Sequence, residues 1–142
     1  MSHTVKRESA IHNLEALKRA CDRIPGAKYH GKQTVQQYSK EIKGQHKVTL
    51  PGYNYPIAID LESGTISADT YEGRWGNPDL QDQLSQGHGV ECAKMEAEEK
   101  GYKYEELTLD DGSVKCTLTV GGGQTTLGEG PSPMGGSSAP TL

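Results

Sequence analysis

From Tyr55 to Leu61 every second residue is apolar, with Tyr55, Ile57, Ile59 and Leu61 alternating with Pro56, Ala58 and Asp60. A period of two gives an extended segment one apolar face, so the pattern predicts a strand. Glu62-Ser63-Gly64 supplies a turn, and Thr65-Ile66-Ser67-Ala68 returns, which predicts a β-hairpin at the centre of the fold. A different period appears near the start of the chain. After Ser9, a residue able to cap a helix, Ile11, Leu14, Leu17, Cys21 and Ile24 recur at helical spacing until Pro25-Gly26. The opposite face, including His12, Glu15, Lys18, Arg19 and Asp22, is polar, so this helix is expected to lay one side on a sheet.

The remaining elements follow from the same two periods. His3 to Glu8 is a short extended segment with Val5 as its one strong apolar residue, expected as an edge strand. Lys28-Tyr29-His30, Thr34 to Tyr38 and His46 to Leu50 predict a meander of antiparallel strands, punctuated by Gly31, Gly44 and Pro51-Gly52. Asn77-Pro78-Asp79 is the clearest helix start, with a capping side chain, proline in the first turn and an acid beside it; the helix should run to Lys100 and stop at Gly101. Gly87 and Gly89 flank His88 in its middle, where a kink or break is expected. Tyr102 to Leu109 and Val114 to Val120 form a second hairpin about Asp110-Asp111-Gly112-Ser113. The apolar phase moves from Tyr102 and Tyr104 to Leu107 and Leu109, which predicts a β-bulge near Glu105-Glu106. The resulting expectation is an α+β, two-layer fold, with an antiparallel sheet of about six to seven strands and two helices packed on one face. Residues 1–120 form the single domain, and 121–142, rich in Gly, Ser and Pro, a flexible tail.

Composition limits the core and the partners. Only 32% of the 142 residues are hydrophobic and none is Phe, so the core must be built from Ile, Leu, Val and Tyr. A charged fraction of 24% is that of a globular protein in water. The net charge of -4 opposes a phosphate backbone, and no basic run offsets it, so nucleic acid is not an expected partner. Three widely spaced cysteines suit reduced thiols better than a disulfide framework. With no leader-like or long apolar run, no membrane association and a cytoplasmic location are expected.

Several strings resemble the hypothetical chloroplast reading frame 35 family, small proteins of plastids and cyanobacteria with relatives in phages and other bacteria. They are Met1-Ser2-His3, Asn13-Leu14-Glu15-Ala16-Leu17-Lys18, Tyr55-Pro56-Ile57-Ala58-Ile59 with Ala68-Asp69, Lys100-Gly101-Tyr102 and Asp111-Gly112-Ser113. The resemblance spans roughly residues 1 to 120. The chain departs from the family pattern at Gln86-Gly87-His88-Gly89-Val90, where relatives carry aromatic residues, and in its Gly-rich tail. The family is a domain of unknown function, so the resemblance implies a fold and no activity.

The residues that carry chemistry form four groups. His88 and Cys92, four apart on a helix, project from one face as metal ligands can; further ligands would come from His3, His30, His46 or Cys116. Met1-Ser2-His3 is itself a string that can chelate copper or nickel. Asp60 and Asp69, at strand ends of the central hairpin on positions read as outside the core, are placed to approach each other and hold a cation or share a proton. In a chain without Phe, the seven tyrosines and Trp75 either replace Phe in the core with their hydroxyls at the rim or line a groove for a planar ligand or a partner; Tyr55, Tyr71 and Trp75 with Arg74 are the candidate ligand-binding set, joined by Asp60 and Asp69. No nucleophile elbow, helix-borne catalytic string or phosphate cradle is present. The expected role is a non-catalytic binding or accessory protein acting through its sheet face or the Tyr71–Trp75 loop, on a protein partner or a small molecule. Two alternatives stand beside it: a phage-type protein that sequesters a nucleotide-like molecule, with self-association in prospect, and a metal-dependent enzyme. No cofactor is identified.

Overall fold

A computed structural model describes residues 4–71, 73–120 and, by strand pairing alone, 123–129. Among the described residues the two hydrophobic periods produce ten strands and two helices. Strands β1 (Thr4–Glu8), β2 (Lys28–Lys32), β5 (His46–Thr49), β6 (Ile57–Asp60) and β7 (Thr65–Asp69) make a five-stranded sheet, wholly antiparallel in its pairings, in the order β1-β7-β6-β5-β2. The α+β class with helices packed against the sheet is as expected. The strands divide differently, however. β8 (Lys103–Thr108), β9 (Val114–Val120) and β10 (Gly123–Glu129) form a separate three-stranded sheet, and β3 (Val35–Gln36) with β4 (Glu41–Ile42) a two-stranded one.

The central hairpin is buried on both faces. Ile57, Ile59, Ile66 and Ala68 enter the main core with Leu17, Cys21 and Ile24 of α1 (Leu14–Arg23) and Leu84 of α2 (Asp79–Lys100). Ala58 points the other way and packs under Val35 and Ile42 of the β3–β4 hairpin. Helix α1 begins later than Ser9 implies: Asn13 is the cap, its side-chain oxygen accepting the Ala16 N–H at 2.9 Å, and Ile11 is buried in the connection before it. The capping role moved because Ala10 takes a left-handed turn, φ 53°, that turns the chain over Gly64 before the helix starts.

Helix α2 starts at Asp79, with Pro78 in the cap position where Asn77 was expected and the Asn77 side chain accepting the Asp79 N–H, and it stops as expected at Gly101 with φ 71°, a conformation that costs glycine little. It does not break at Gly87. That glycine lies against α1, where a Cβ would stand 3.3 Å from Cβ of Ala20, so its smallness sets the closeness of the two helices. A Cβ on Gly89 would meet nothing within 4 Å. Gly89→Ala is therefore expected to stabilise the fold by about 0.5–1 kcal/mol from helix propensity. Gly87→Ala should lose that gain to crowding; paired urea denaturation curves of the two variants check the contrast.

The N-terminal half of α2, through Leu80 and Leu84, covers the large sheet, whereas Val90, Ala93 and Ala97 cover the small one with Val114, Cys116 and Leu118. The β8–β9 register runs unbroken from Lys103↔Thr119 to Thr108↔Val114, so the expected bulge is absent. Leu107 points outward, 59% exposed, and Glu106 takes the inward phase because Arg23 of α1 pairs with it at 2.7 Å. Arg23 also pairs with Glu91 at 2.7 Å, tying α1, α2 and β8 together. The segment expected to be a tail contributes β10, whose Gln124-Thr125-Thr126-Leu127 run suits an extended chain and pairs with β9. The rest of it, 121–122 and 130–142, lies outside the described residues, as does Met1-Ser2-His3. Among the described residues the three cysteines are free thiols, and no helix is long and apolar enough to cross a membrane.

A candidate aromatic binding site

The tyrosines divide according to where their rings go. Tyr29 and Tyr53 pack on the main core and Tyr102 and Tyr104 on the second, filling places where Phe would otherwise serve. Tyr38, Tyr55 and Tyr71 instead converge on Trp75. Three separate stretches of chain bring these four rings together.

The first stretch is the β3–β4 hairpin, closed by the Gln37 N–H donating to Lys40 O at 2.8 Å. The Gln37 side chain fastens it to the large sheet. Nε2 donates to Pro56 O and Ser67 O, each at 3.1 Å, and Oε1 accepts from Thr4 Oγ1 at 2.8 Å. Both amide hydrogens and the amide oxygen are thus engaged by neighbouring strands and Pro56, and the next residue, Tyr38, stands at the tip, 54% exposed. The second stretch, Tyr55, leads into β6. The third is the loop after β7. Trp75 N–H donates to Thr70 O at 2.8 Å and Asn54 N–H to Trp75 O at 2.8 Å, so the loop is fastened to both neighbours of the cluster. Gly76 lies against the Tyr53 ring, whose hydroxyl donates to Asn77 O at 2.7 Å.

Around Trp75 the rings are close. Tyr71 stacks on it at 4.7 Å between centroids with 22° between planes, Tyr38 leans at 5.2 Å, and Tyr55 meets it at 5.4 Å and 66°. Tyr38 and Tyr55 meet edge to face at 6.4 Å. The Arg74 guanidinium carbon stands 5.0 Å from the Tyr71 ring centroid, within cation–π range. Tyr71 itself has φ 47°, an uncommon conformation for a bulky residue, which the surrounding loop must hold in place.

Asp69 ends β7 two residues before Tyr71. Strand alternation puts it on the same face as Ser67, the residue whose carbonyl Gln37 holds. It is 1% exposed, and neither carboxyl oxygen has a hydrogen-bond partner among the described residues. The position read as lying outside the core is therefore buried. Asp60 is elsewhere. The register pairs Asp60 with Thr65 at the turn end of the hairpin, four residues from Asp69, or roughly 13 Å along the strand at about 3.3 Å per residue. The two carboxyls do not form a pair. Asp60 builds the turn: Oδ1 accepts the Glu62 N–H at 3.1 Å, and hydrogen bonding from Ser63 and the turn backbone holds its pKa below the ordinary value.

His88 and Cys92 do face each other, with Sγ 3.7 Å from Nε2, but the imidazole is committed to another task. Its Nε2 accepts the Asn13 N–H at 3.1 Å, at the entrance to α1. Burial, then the neighbouring His12, lowers its pKa to about 4. Burial likewise raises the Cys92 pKa. His30 bonds Thr49, His46 bonds Tyr29, and Cys116 meets Tyr104, so none of these joins the pair. The described residues assemble no group of three or more His, Cys, Asp and Glu that could hold a metal ion. A cleft of about 260 Å³ lies between the end of α1, α2 and the β8–β9 turn; of its polar lining, Arg23 is paired with two glutamates and Gln86 donates to Gly112 O.

Tyr38 was missed by the sequence reading, because nothing within Thr34 to Tyr38 shows that Gln37 anchors the hairpin on a strand 30 residues away. Comparison of the chain with protein-family models, with curated proteins and with solved structures finds no match.

Proposed function

We propose that this protein is a non-catalytic binding or accessory protein whose recognition surface is the Tyr38, Tyr55, Tyr71 and Trp75 cluster. The observation that carries the reading is the convergence of four aromatic rings from three chain segments outside both hydrophobic cores, at a site where Tyr38 is 54% exposed. Rigid amphipathic rings bury much area at little cost in rotamer entropy, which is why they anchor recognition sites. The left-handed Tyr71 adds to it, since strain held by surrounding structure gathers at functional positions. Of the two surfaces expected from sequence, the loop is favoured over the sheet face, because helices cover one side of the large sheet and the β3–β4 hairpin covers Ala58 on the other. Membership of the chloroplast reading frame 35 family is proposed on the sequence strings alone and brings no activity with it.

The single Trp makes the reading testable in the intact chain. Titrations with AMP, a proline-rich peptide and a basic peptide, followed by Trp75 emission, are expected to give a saturable shift with at least one of them. Tyr38→Ala should weaken that response at least about tenfold, a typical loss for an aromatic anchor, while leaving the denaturation midpoint nearly unchanged. A flat response to all three probes would sink the proposal.

A further inference from the structure

Helix α2 passes from the main core to the second one, and a cleft opens at the seam. Ile24 at the end of α1 belongs to the main core and Val114 of β9 to the second, and both line this cleft with Gly87 of α2. A Cβ on Gly87 would stand 3.4 Å from Cδ of Arg23, so glycine leaves the Arg23 stem its place along the wall. The space measures about 260 Å³. Sites for drug-sized molecules begin near about 300 Å³, so this one is sized for something smaller.

The polar lining offers hydrogen bonds in both directions. Gln86 is 8% exposed and donates from Nε2 to Gly112 O at 2.8 Å, which fixes the plane of its amide. Its Oε1 accepts no hydrogen bond among the described residues and stays open to solvent, on the side chain that lines the cleft. Arg23 binds Glu91 through Nε and Glu106 through Nη2, each at 2.7 Å, which leaves the N–H groups of Nη1 for another acceptor. At the exposed rim, the side chains of Gln83 and Thr108 have no partner among the described residues. Polar groups in such a space are satisfied by water or by a ligand that reproduces the same bonds.

We propose that this cleft binds a small uncharged molecule bearing a carboxamide, whose N–H Gln86 Oε1 accepts and whose carbonyl Arg23 Nη1 meets, with Gln83 reaching it from the rim and its apolar body lying against Ile24 and Val114. An amide carries donor and acceptor in one plane, as this lining requires. A carboxylate has no N–H for Gln86 and competes with two glutamates for the guanidinium. An ammonium has no acceptor for Arg23 and meets its positive charge. The site draws on no residue of the aromatic cluster, so the two readings stand or fall separately.

Benzamide, benzoate and benzylammonium share one ring and differ in the head group, so they separate these cases. Each is titrated into the full chain at constant ionic strength and followed by amide chemical shifts. Saturable binding of benzamide is expected, with the largest shifts at Ile24, Gly87, Gly112 and Val114, and with the two ions weaker by about fivefold or more. Gln86→Leu should weaken benzamide about tenfold, although it also removes the tie to Gly112 O. Gln83→Ala, at an exposed helix position, should weaken it about twofold to fourfold with an unchanged thermal midpoint, which separates loss of binding from loss of folding. Benzoate or benzylammonium binding as tightly as benzamide, or undiminished binding by either variant, overturns the proposal. The absence of a saturable shift with any probe overturns it as well, leaving a cleft that holds water only. Benzamide shifts confined to Trp75 and its neighbours also overturn it, and support the aromatic cluster instead.

Discussion

Replacement of Gly64 by alanine is expected to destabilise the protein by about 2–4 kcal/mol, seen as a lowered urea midpoint with an unchanged slope. Two independent costs combine there. Gly64 closes the β6–β7 turn with φ 73°, where any residue bearing a Cβ is strained by about 1–2 kcal/mol. Its Cβ would also stand 2.7 Å from the His12 ring and 3.0 Å from Cα of Ala10. The ring can swing aside, at the loss of the His12 Nδ1 contact with Leu61 O at 2.8 Å, but the Ala10 backbone cannot. Ser9 and Ile11 both donate their N–H groups to Gly64 O, at 3.0 and 3.3 Å, and hold that backbone over the turn. Relief would therefore pull the β1–α1 connection, and buried Ile11 with it, away from the core. His12→Ala in the Gly64→Ala background should recover only the ring's share, and a double-mutant cycle measures the remainder.

The second large effect is on acid stability. His88 has a pKa near 4 in the folded chain, against 6.5 for an unperturbed histidine, because burial opposes its charge and His12 adds to that. Between those values the unfolded chain takes up a proton that the folded chain refuses, so stability rises with pH across this window. His88 thus contributes nothing adverse above about pH 6.5, and the stability is lost progressively as pH falls towards 4, by about 2–3 kcal/mol at about 1.4 kcal/mol per pH unit. Protonation also ends the acceptance of the Asn13 N–H by Nε2, so the entrance of α1 is where the acid form should loosen. Unfolding free energies measured from pH 7 to pH 4 should show this loss in the wild type and a shallower one in His88→Gln. Parallel curves for the two proteins would contradict it.

Local signals in the sequence were sufficient wherever the determinant lay within a few residues. Asn77-Pro78 and Gly101 bounded α2, and alternation about Glu62-Ser63-Gly64 located the central hairpin, because caps, turns and periodicity act over one turn of chain. The misreadings share a different cause. Glu106 turns to the α1 side, where Arg23, 83 residues away, meets it near the surface, and Gly87 is a contact with Ala20 where the sequence suggested a kink. β10 pairs with a strand that composition alone could not bring to it. The candidate site follows the same division. Trp75, Tyr71, Tyr55 and Arg74 were visible as a surplus of aromatic residues beside a cation. Tyr38 and the burial of Asp69 depend on where Gln37 fastens, whereas the separation of Asp60 from Asp69 follows from the turn itself, which puts Asp60 beside it and Asp69 at the far end of the returning strand.

The burial of β6 and β7 on both faces bears on how the sheet finds its alignment. In a strand with one wet face, a slip of one residue is penalised by polarity, since it drives polar groups inward. Here both faces are dry, but a slip of β7 would still turn Thr65, Ser67 and Asp69 into the apolar helix side, so the polarity penalty survives there. Size adds a second penalty: Ile57, Ile59 and Ile66 fill the helix side, while Ala58 and Ser67 face Val35, Ile42 and Gln37. A slipped strand would press isoleucine into room shaped for alanine, so this sheet is proofread by volume as well as by polarity, and the small β3–β4 hairpin serves as the gauge.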